Sequence, residues 1–575
     1  MFTTMVRCLI RSPHAMCRPR FRKLLRAAVL SCVALTLIPL SAVRAADLAC
    51  TAYYYSAWSH CSAGTQSRTV TGSLPIGCNA GAPVTTRACT ANPAGRSGAA
   101  APAAALRLNT PGQVYTLQTD LVANGTAVAI TADNVTLDLN GHTITYNAAA
   151  STNSVYGVYV AIGIDKVTIK NGTILQGAGR TARSPAIYFY GASWQVGPHT
   201  VMDMVIRTTG RQCNGIDAGR SYSFNNSNIL RSYIEVRGGT TAIDGAGADP
   251  INVAARQQGG VQIHDNILVA GHRGMQLAYV GTMTRNRSNI YLNRIQQKRS
   301  PGSKAPYGIL VAKSHNVNVT RNQIVSDDGR GIILDGWEQG TTDGASGNRV
   351  VANWIDVQYS SAASSGAYVE NNVYGIRDRY SSGYNSIASN TILVSNDVAG
   401  SAFGVYIGSD APDPRMKSIY VLANTIIGRP GAVPTNRPYA FMFDYAASVT
   451  VTDNRFRGER YAGNRRVGRL TWARNSRLPL TAAIPSPPQG VQLTRFLDSY
   501  LIEWQRNPEA DVYEYVVYRD GVPLPISTRG GFFYVDVGAD DGVAHTYSVT
   551  AQTLSGQQSL PSDPVSTVDA KNAWW

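Results

Sequence analysis

The stretch Asn134-Val-Thr-Leu-Asp-Leu-Asn-Gly-His-Thr-Ile144 alternates apolar and polar residues, the period of a strand with one buried face. From about Leu106 to Gly463 the same texture keeps returning. Short β-prone segments lead into Asn, then any residue, then Ile or another apolar residue. The phrase occurs at Asn171-Gly-Thr-Ile174, Asn293-Arg-Ile295, Asn322-Gln-Ile324, Asn353-Trp-Ile355, Asn390-Thr-Ile392, Asn424-Thr-Ile426 and Asn454-Arg-Phe456. The last six are 29, 31, 37, 34 and 30 residues apart. Few segments show a helical 3.6-residue period, so the strands cannot be joined by α-helical crossovers. Stacked coils satisfy both facts, each coil burying its inward face against its neighbours. Asn is expected at a tight corner, because it tolerates left-handed geometry and its amide can bond the Asn above and below. The regular four-strand phrase of a propeller is missing.

The two ends read differently. A basic, acid-free stretch ends in Arg18, Arg20, Arg22, Lys23 and Arg26; the apolar run Ala27 to Ala42 follows, then Val43-Arg44-Ala45. About 16 apolar residues fall short of the roughly 20 that span a bilayer, so residues 1–45 read as a cleaved export signal. The mature chain is then expected to be periplasmic or secreted, with no membrane span. Removing the signal takes eight Lys/Arg and lowers the formal charge from +16 to +8. That mild bias favours acidic partners, and no nucleic-acid-binding signature accompanies it. Cys50, Cys61, Cys78 and Cys89 cluster in residues 46–90 of an exported chain, which argues for two disulfides whose pairing stays open. Spacings of 11, 17 and 11 contain no C-x-x-C pair and disfavour zinc. Cys213 is left as a thiol. The Ala/Gly/Pro-rich segment 91–105 reads as a linker, the coils as 106–465, a second linker as 466–484 and a last domain as 485–570.

Three resemblances add to this reading. Cys50 through Trp58 and Cys61 to Arg68, followed by Cys78 and Thr-Thr-Arg87-Ala-Cys89, resembles a thrombospondin type 1 repeat. That resemblance implies a cation–π stack of Trp58, Arg68 and Arg87. One Trp and four cysteines depart from the family pattern. Val135 to Ile144 looks like the first coil of many pectate-lyase-like proteins, which implies a mainly β chain built on a right-handed parallel β-helix. Leu501-Ile-Glu-Trp504, Asp511 to Gly521 and His545-Thr-Tyr547-Ser-Val-Thr550 resemble strands of a fibronectin type III β-sandwich. There Trp504 would be the core tryptophan, and Tyr547 would tie a late strand to the backbone.

Candidate chemistry follows from aligning the strands that begin with a small residue and then an apolar one. These are Gly215-Ile-Asp217, Ala242-Ile-Asp244, Gly274-Met-Gln276, Gly308-Ile-Leu310, Gly331-Ile-Ile-Leu-Asp335, Gly375-Ile-Arg-Asp-Arg379 and Gly404-Val-Tyr406. With the apolar residue inward, Asp217, Asp244, Gln276, Asp335, Arg377, Arg379 and Tyr406 are expected to form one outward column. His272, Arg273, Asp327, Asp328 and Arg330 sit at the turns that feed it. Such a surface suits an acidic polysaccharide: Arg forks bind carboxylates, and a base such as Asp244 removes the proton beside one, with Arg377 and Arg379 offsetting the charge. The expected reaction is a lyase elimination on uronates, the protein acting as a monomer; Asp217 and Asp244 could also hold Ca²⁺. Two other readings stay open, a glycoside hydrolase and a non-catalytic glycan-binding or adhesion protein. Asn214-Gly-Ile-Asp217, Gly271-His-Arg273 and Asp327-Asp328 stand in the wrong order for polygalacturonase-like hydrolases, so those roles are not carried over.

Overall fold

The computed structural model describes short strands between residues 52 and 88, and residues 106–572 apart from connecting segments, the longest being 238–247, 298–306, 337–343, 360–371 and 430–437. The export signal, the four clustered cysteines, Trp58, Arg68 and the side chain of Arg87 lie outside the described residues. Within the N-terminal unit, Ala52–Tyr55 pairs antiparallel with Val70–Leu74.

The centre is a right-handed parallel β-helix. One coil illustrates the plan: Ser288–Tyr291, a corner, Arg294–Gln297, a connection, then Tyr307–Ala312. The third strands of successive coils build a 13-stranded parallel sheet that runs from Leu106–Leu108 to Glu459–Arg465. Inward residues stack in files. Ile295, Ile324, Ile355, Ile392 and Ile426 form one; Ile216, Ile251, Met275, Ile309, Ile332 and Ile376 form another, all fully buried. Each such side chain contributes roughly 1.5–3 kcal/mol by leaving water.

The corner works differently from the sequence expectation. The left-handed residue is the one before the Asn: Asp265, Leu292, Arg321, Ala352, Ser389, Ala423, Asp453 and Arg474 have φ between 51° and 61°. This geometry turns the chain and aims the following side chain inward. Asn266, Asn293, Asn322, Asn353, Asn390, Asn424 and Asn454 each donate Nδ2–H to the Oδ1 of the next, ending on Asn475, at 2.8–3.0 Å. Asn171 is the exception. It occupies the left-handed position itself (φ 59°) and donates to Asp138 Oδ1 at 3.1 Å. The ladder also moves the expected boundary. Arg469–Ala473 and Ser476–Arg477 still pair with the preceding coil, so residues 466–477 are helix and not linker.

The C-terminal domain is a sandwich of two four-stranded sheets. Trp504 lies in its core, 5.4 Å from the Tyr515 ring. Tyr547 is buried, but its hydroxyl donates to the Asp536 carboxylate at 2.9 Å and not to a backbone carbonyl. The sandwich is docked lengthwise on the β-helix. Tyr233 and Phe496 stack at 4.6 Å, with Val205, Ile267, Val325, Leu501, Phe533 and Val535 around them. Val535 N–H donates to Gln296 Oε1 and Gln296 Nε2 donates to Val535 O, both at 2.7 Å. Further along, Trp354 meets Tyr513 and Phe532, and Arg457 donates to Leu554 O at 2.9 Å. The outward side of the strands that follow the Asn corner is therefore a domain interface.

Candidate functional site

The 13-stranded sheet carries the sequence-derived candidates, in two files and not one. Register pairs Asp217 with Asn252, Asn252 with Gln276, Gln276 with Leu310, Leu310 with Ile333, Ile333 with Arg377, and Arg377 with Tyr406. Asp335 and Arg379 stand two residues further along their strands, in a neighbouring outward file. The rung expected for Asp244 belongs to Ile251–Ala254, so Asn252 holds that place. Pro250 precedes this strand where the aligned phrase expects a small residue, which hid the rung. Asp244, His272, Asp328 and the side chain of Asp327 lie outside the described residues.

Outward does not mean open. Arg377 is 5%, Asp335 7% and Arg330 8% exposed, the two arginines being covered by aromatic neighbours. Arg330 lies over the rings of Tyr307 and Tyr374 at 5.4 and 5.7 Å; Arg377 lies over Tyr374 and Tyr406 at 4.5 and 5.1 Å. Arg273 covers the other side of the set, 5.4 Å from Tyr307. A half-buried guanidinium on a ring face gains about 0.5–2 kcal/mol, so this Arg–Tyr series stabilises the sheet whatever else it does. Arg379 is committed as well, donating Nη2–H to Asp335 Oδ2 at 2.8 Å. Burial works against its charge, but the Asp335 hydrogen bond and charge outweigh that and hold its pKa above the ordinary range.

The part-exposed groups sit nearer the N-terminal end of the sheet. Asn252 Nδ2 donates to Asp217 Oδ1 at 3.1 Å. Arg273 Nη1 donates to Gln276 Oε1 at 2.5 Å and lies 3.8 Å from Asp249 Oδ2. This run offers a carboxylate and two amides on three successive rungs about 4.8 Å apart, with the Arg273 guanidinium beside the last. Among the described residues no group of three or more His, Cys, Asp or Glu gathers, and Asp244, the expected Ca²⁺ partner of Asp217, lies outside the described residues.

Sequence reasoning missed what precedes this run. Tyr159 and Tyr188 are the rungs immediately before Asp217, and Tyr156 and Tyr190 flank them. The signal was present, since Gly157-Val-Tyr159 and Ala186-Ile-Tyr188 carry the same small-then-apolar start, but they lie ahead of the series that opens at Gly215. Inside the coil, under the same sheet, Asp378 takes the inward place held by Leu334 and Ile407 on neighbouring rungs. It is fully buried, accepts from Asn385 Nδ2 at 3.0 Å, and burial pushes its pKa up to about 6. Cys213 is a buried thiol, its Sγ accepting from Gln176 Nε2 at 3.2 Å; burial raises its pKa.

A parallel β-helix protein with a polar and aromatic outer sheet is the class these features define. Residues 213–375 match a family model described as periplasmic copper-binding protein (NosD). No curated protein matches the chain. Among solved structures, a mannuronan C-5 epimerase A-module from Azotobacter vinelandii is 12% identical, covering 66% of this chain and 92% of that one, with a TM-score of 0.32. The enzymatically active domain of bacteriophage CBA120 tailspike protein 2 is 12% identical over 79% of this chain and 66% of that one, at a TM-score of 0.23. The spore cortex lytic enzyme SleM of Clostridium perfringens is 11% identical over 31% and 67%, at 0.13. Likenesses this slight bear on neither substrate nor chemistry. Among the described residues no helix is long and apolar enough to cross a membrane.

Proposed function

We propose that this is an exported carbohydrate-active protein that binds an acidic polysaccharide along the 13-stranded sheet and cleaves uronate linkages by β-elimination. The observation that carries the reading is the part-exposed run Asp217–Asn252–Gln276 with Arg273 beside it, on a face the C-terminal sandwich leaves uncovered. Arg273 and Gln276 would take the uronate carboxylate, where the guanidinium also offsets charge as the neighbouring proton leaves. Asp217 is the part-exposed carboxylate on that run and would receive the proton. Arg377 and Arg379 then act as supports of the sheet and not as groups in contact with the sugar.

The name of the matching family model raises copper, and the described residues do not fit it. Cys213 and Met275 are buried in the coil, His315 is buried against Ser346, and His264 pairs with Asp265 while stacking on Tyr291. These donors stand on different faces or coils, so no described set supplies a copper site.

The test incubates the purified protein with a panel of acidic polysaccharides while absorbance near ~235 nm and reducing ends are followed. Elimination raises both signals. A rise in reducing ends alone would replace the lyase reading with hydrolysis, and binding without either signal would leave a glycan-binding protein.

A further inference from the structure

The four tyrosines ahead of Asp217 are an element that the elimination chemistry does not use. Tyr156 stacks on Tyr188 with ring centroids 4.7 Å apart and planes within 9°. Tyr159 lies 5.4 Å from Tyr156, 6.1 Å from Tyr188 and 6.1 Å from Tyr190. Tyr188 is covered, Tyr156 and Tyr159 are half-buried, and Tyr190 is 44% exposed. The cluster thus presents aromatic surface to solvent instead of filling a core. Burial first, then Tyr190 and Tyr156, raise the pKa of Tyr159, so its hydroxyl stays protonated.

Register makes the cluster continuous with the polar run. Tyr159, Tyr188, Asp217, Asn252 and Gln276 occupy five successive rungs of one outward file. A polysaccharide laid along the sheet advances by a length comparable to one rung, about 4.8 Å, per sugar ring. Aromatic faces take the C–H faces of sugar rings, and phenolic hydroxyls bond their edges.

We propose that Tyr156, Tyr159 and Tyr190 form a ring-stacking subsite that holds the glycan one to two rungs ahead of the Asp217–Gln276 run and fixes its path along the sheet. This rests on the reading of that face as a polysaccharide site. The subsite selects for pyranose faces, so its contribution is independent of the carboxylates that Arg273 would read.

Affinity electrophoresis of the full chain through gels containing polygalacturonate, alginate or hyaluronan tests it. Tyr159→Ala/Tyr190→Ala is compared with wild type and with Tyr420→Ala, an exposed tyrosine on another face. Circular dichroism checks that each variant is folded, and Tyr190→Ala alone serves if the double variant is not. The double variant is expected to lose about tenfold in affinity for the polymer that retards the wild type, with Tyr420→Ala unchanged. Wild-type affinity in a folded double variant, or in Tyr190→Ala if only that variant folds, overturns the subsite alone. A wild-type protein that no polymer retards overturns the subsite together with the functional reading beneath it.

Discussion

On the strands that follow the asparagine corner, Glu235 is fully buried and receives Arg207 Nε at 2.9 Å and Arg237, while Asp498 of the sandwich receives both arginines in turn. On the 13-stranded sheet, Arg379 grips Asp335 and Arg377 lies between Tyr374 and Tyr406. The two faces use the same residue types at the same outward positions. One of them is a contact between two parts of the chain. Outward charge on a coil is therefore poor evidence of a ligand surface, since buried guanidinium–carboxylate sets arise wherever a face is covered. What separates the sheets is residual exposure: Asp217, Asn252, Gln276 and Arg273 keep contact with solvent, whereas Glu235 keeps none.

Removing the central carboxylate of the covered set should have the largest effect. Glu235→Ala leaves Arg207 and Arg237 in a desolvated interface with Asp498 alone, and should cost about 3–5 kcal/mol. Asp217→Ala on the open sheet should cost less than about 1 kcal/mol. Chemical denaturation of both variants decides it; equal losses would erase the distinction between the faces.

Asp378 sharpens the comparison from inside the coil. Its carboxyl titrates near 6 in the fold against 3.8 in the unfolded chain, so the folded state holds the proton more tightly. Burying the ion thus costs stability above pH 6, and the cost fades as pH falls from 6 towards 4. Asp378→Asn keeps an acceptor for Asn385 and should stabilise by about 3 kcal/mol at pH 8, with little gain at pH 4. His199, pushed down to about 3 by burial, loses stability as pH falls below 6.5. The readout is therefore the difference between variant and wild type at each pH. A gain that does not depend on pH would mean that the Asp378 carboxyl has the same pKa in the folded and the unfolded chain.

Asn322 serves neither face directly, yet both depend on it. Its Nδ2 donates to Asn353 Oδ1 and Ile290 O, and its Oδ1 accepts from Asn293. Asn322→Ala should lower stability by about 2 kcal/mol, several bonds being lost at 0.5–1.5 kcal/mol each. Asn318→Ala, on the part-exposed amide row of the neighbouring strand, should change little. Equal melting temperatures for the two variants would remove the ladder as a source of stability.

The coil itself was legible because Asn-x-Ile reports two local demands at once, an inward amide and an inward apolar residue. The neighbouring left-handed position was not, since Leu292, Arg321 and Ala352 have no shared chemistry. Sandwich docking left a trace in strands apolar on both sides, such as Ile267-Leu-Val-Ala270 and Thr425-Ile-Ile427, but their partner surface lies in the C-terminal sandwich, distant in the chain. The outward column was only partly legible. Small-then-apolar starts located Asp217, Gln276 and Arg377 and failed where Pro250 opens the strand; the same start at Gly157 and Ala186 lies ahead of the series that opens at Gly215. Exposure depends on which neighbours close over a side chain, and no local pattern encodes it.

The left-handed corner itself yields the smallest expected effect. A non-glycine residue there costs roughly 1–2 kcal/mol, and the coil repeats that cost at every turn while the asparagine ladder holds the geometry. Ala352 is exposed, has φ 56°, and its N–H donates to Ala388 O at 3.0 Å. Ala352→Gly would relieve the steric conflict and keep that bond, but glycine also gives the unfolded chain about 0.5–1 kcal/mol of extra freedom. The net gain should therefore be at most about 1 kcal/mol, a rise of about 1–2 °C in Tm. A loss of stability in Ala352→Gly would show that the corner stores no strain, and that the ladder stabilises a conformation the backbone already favours.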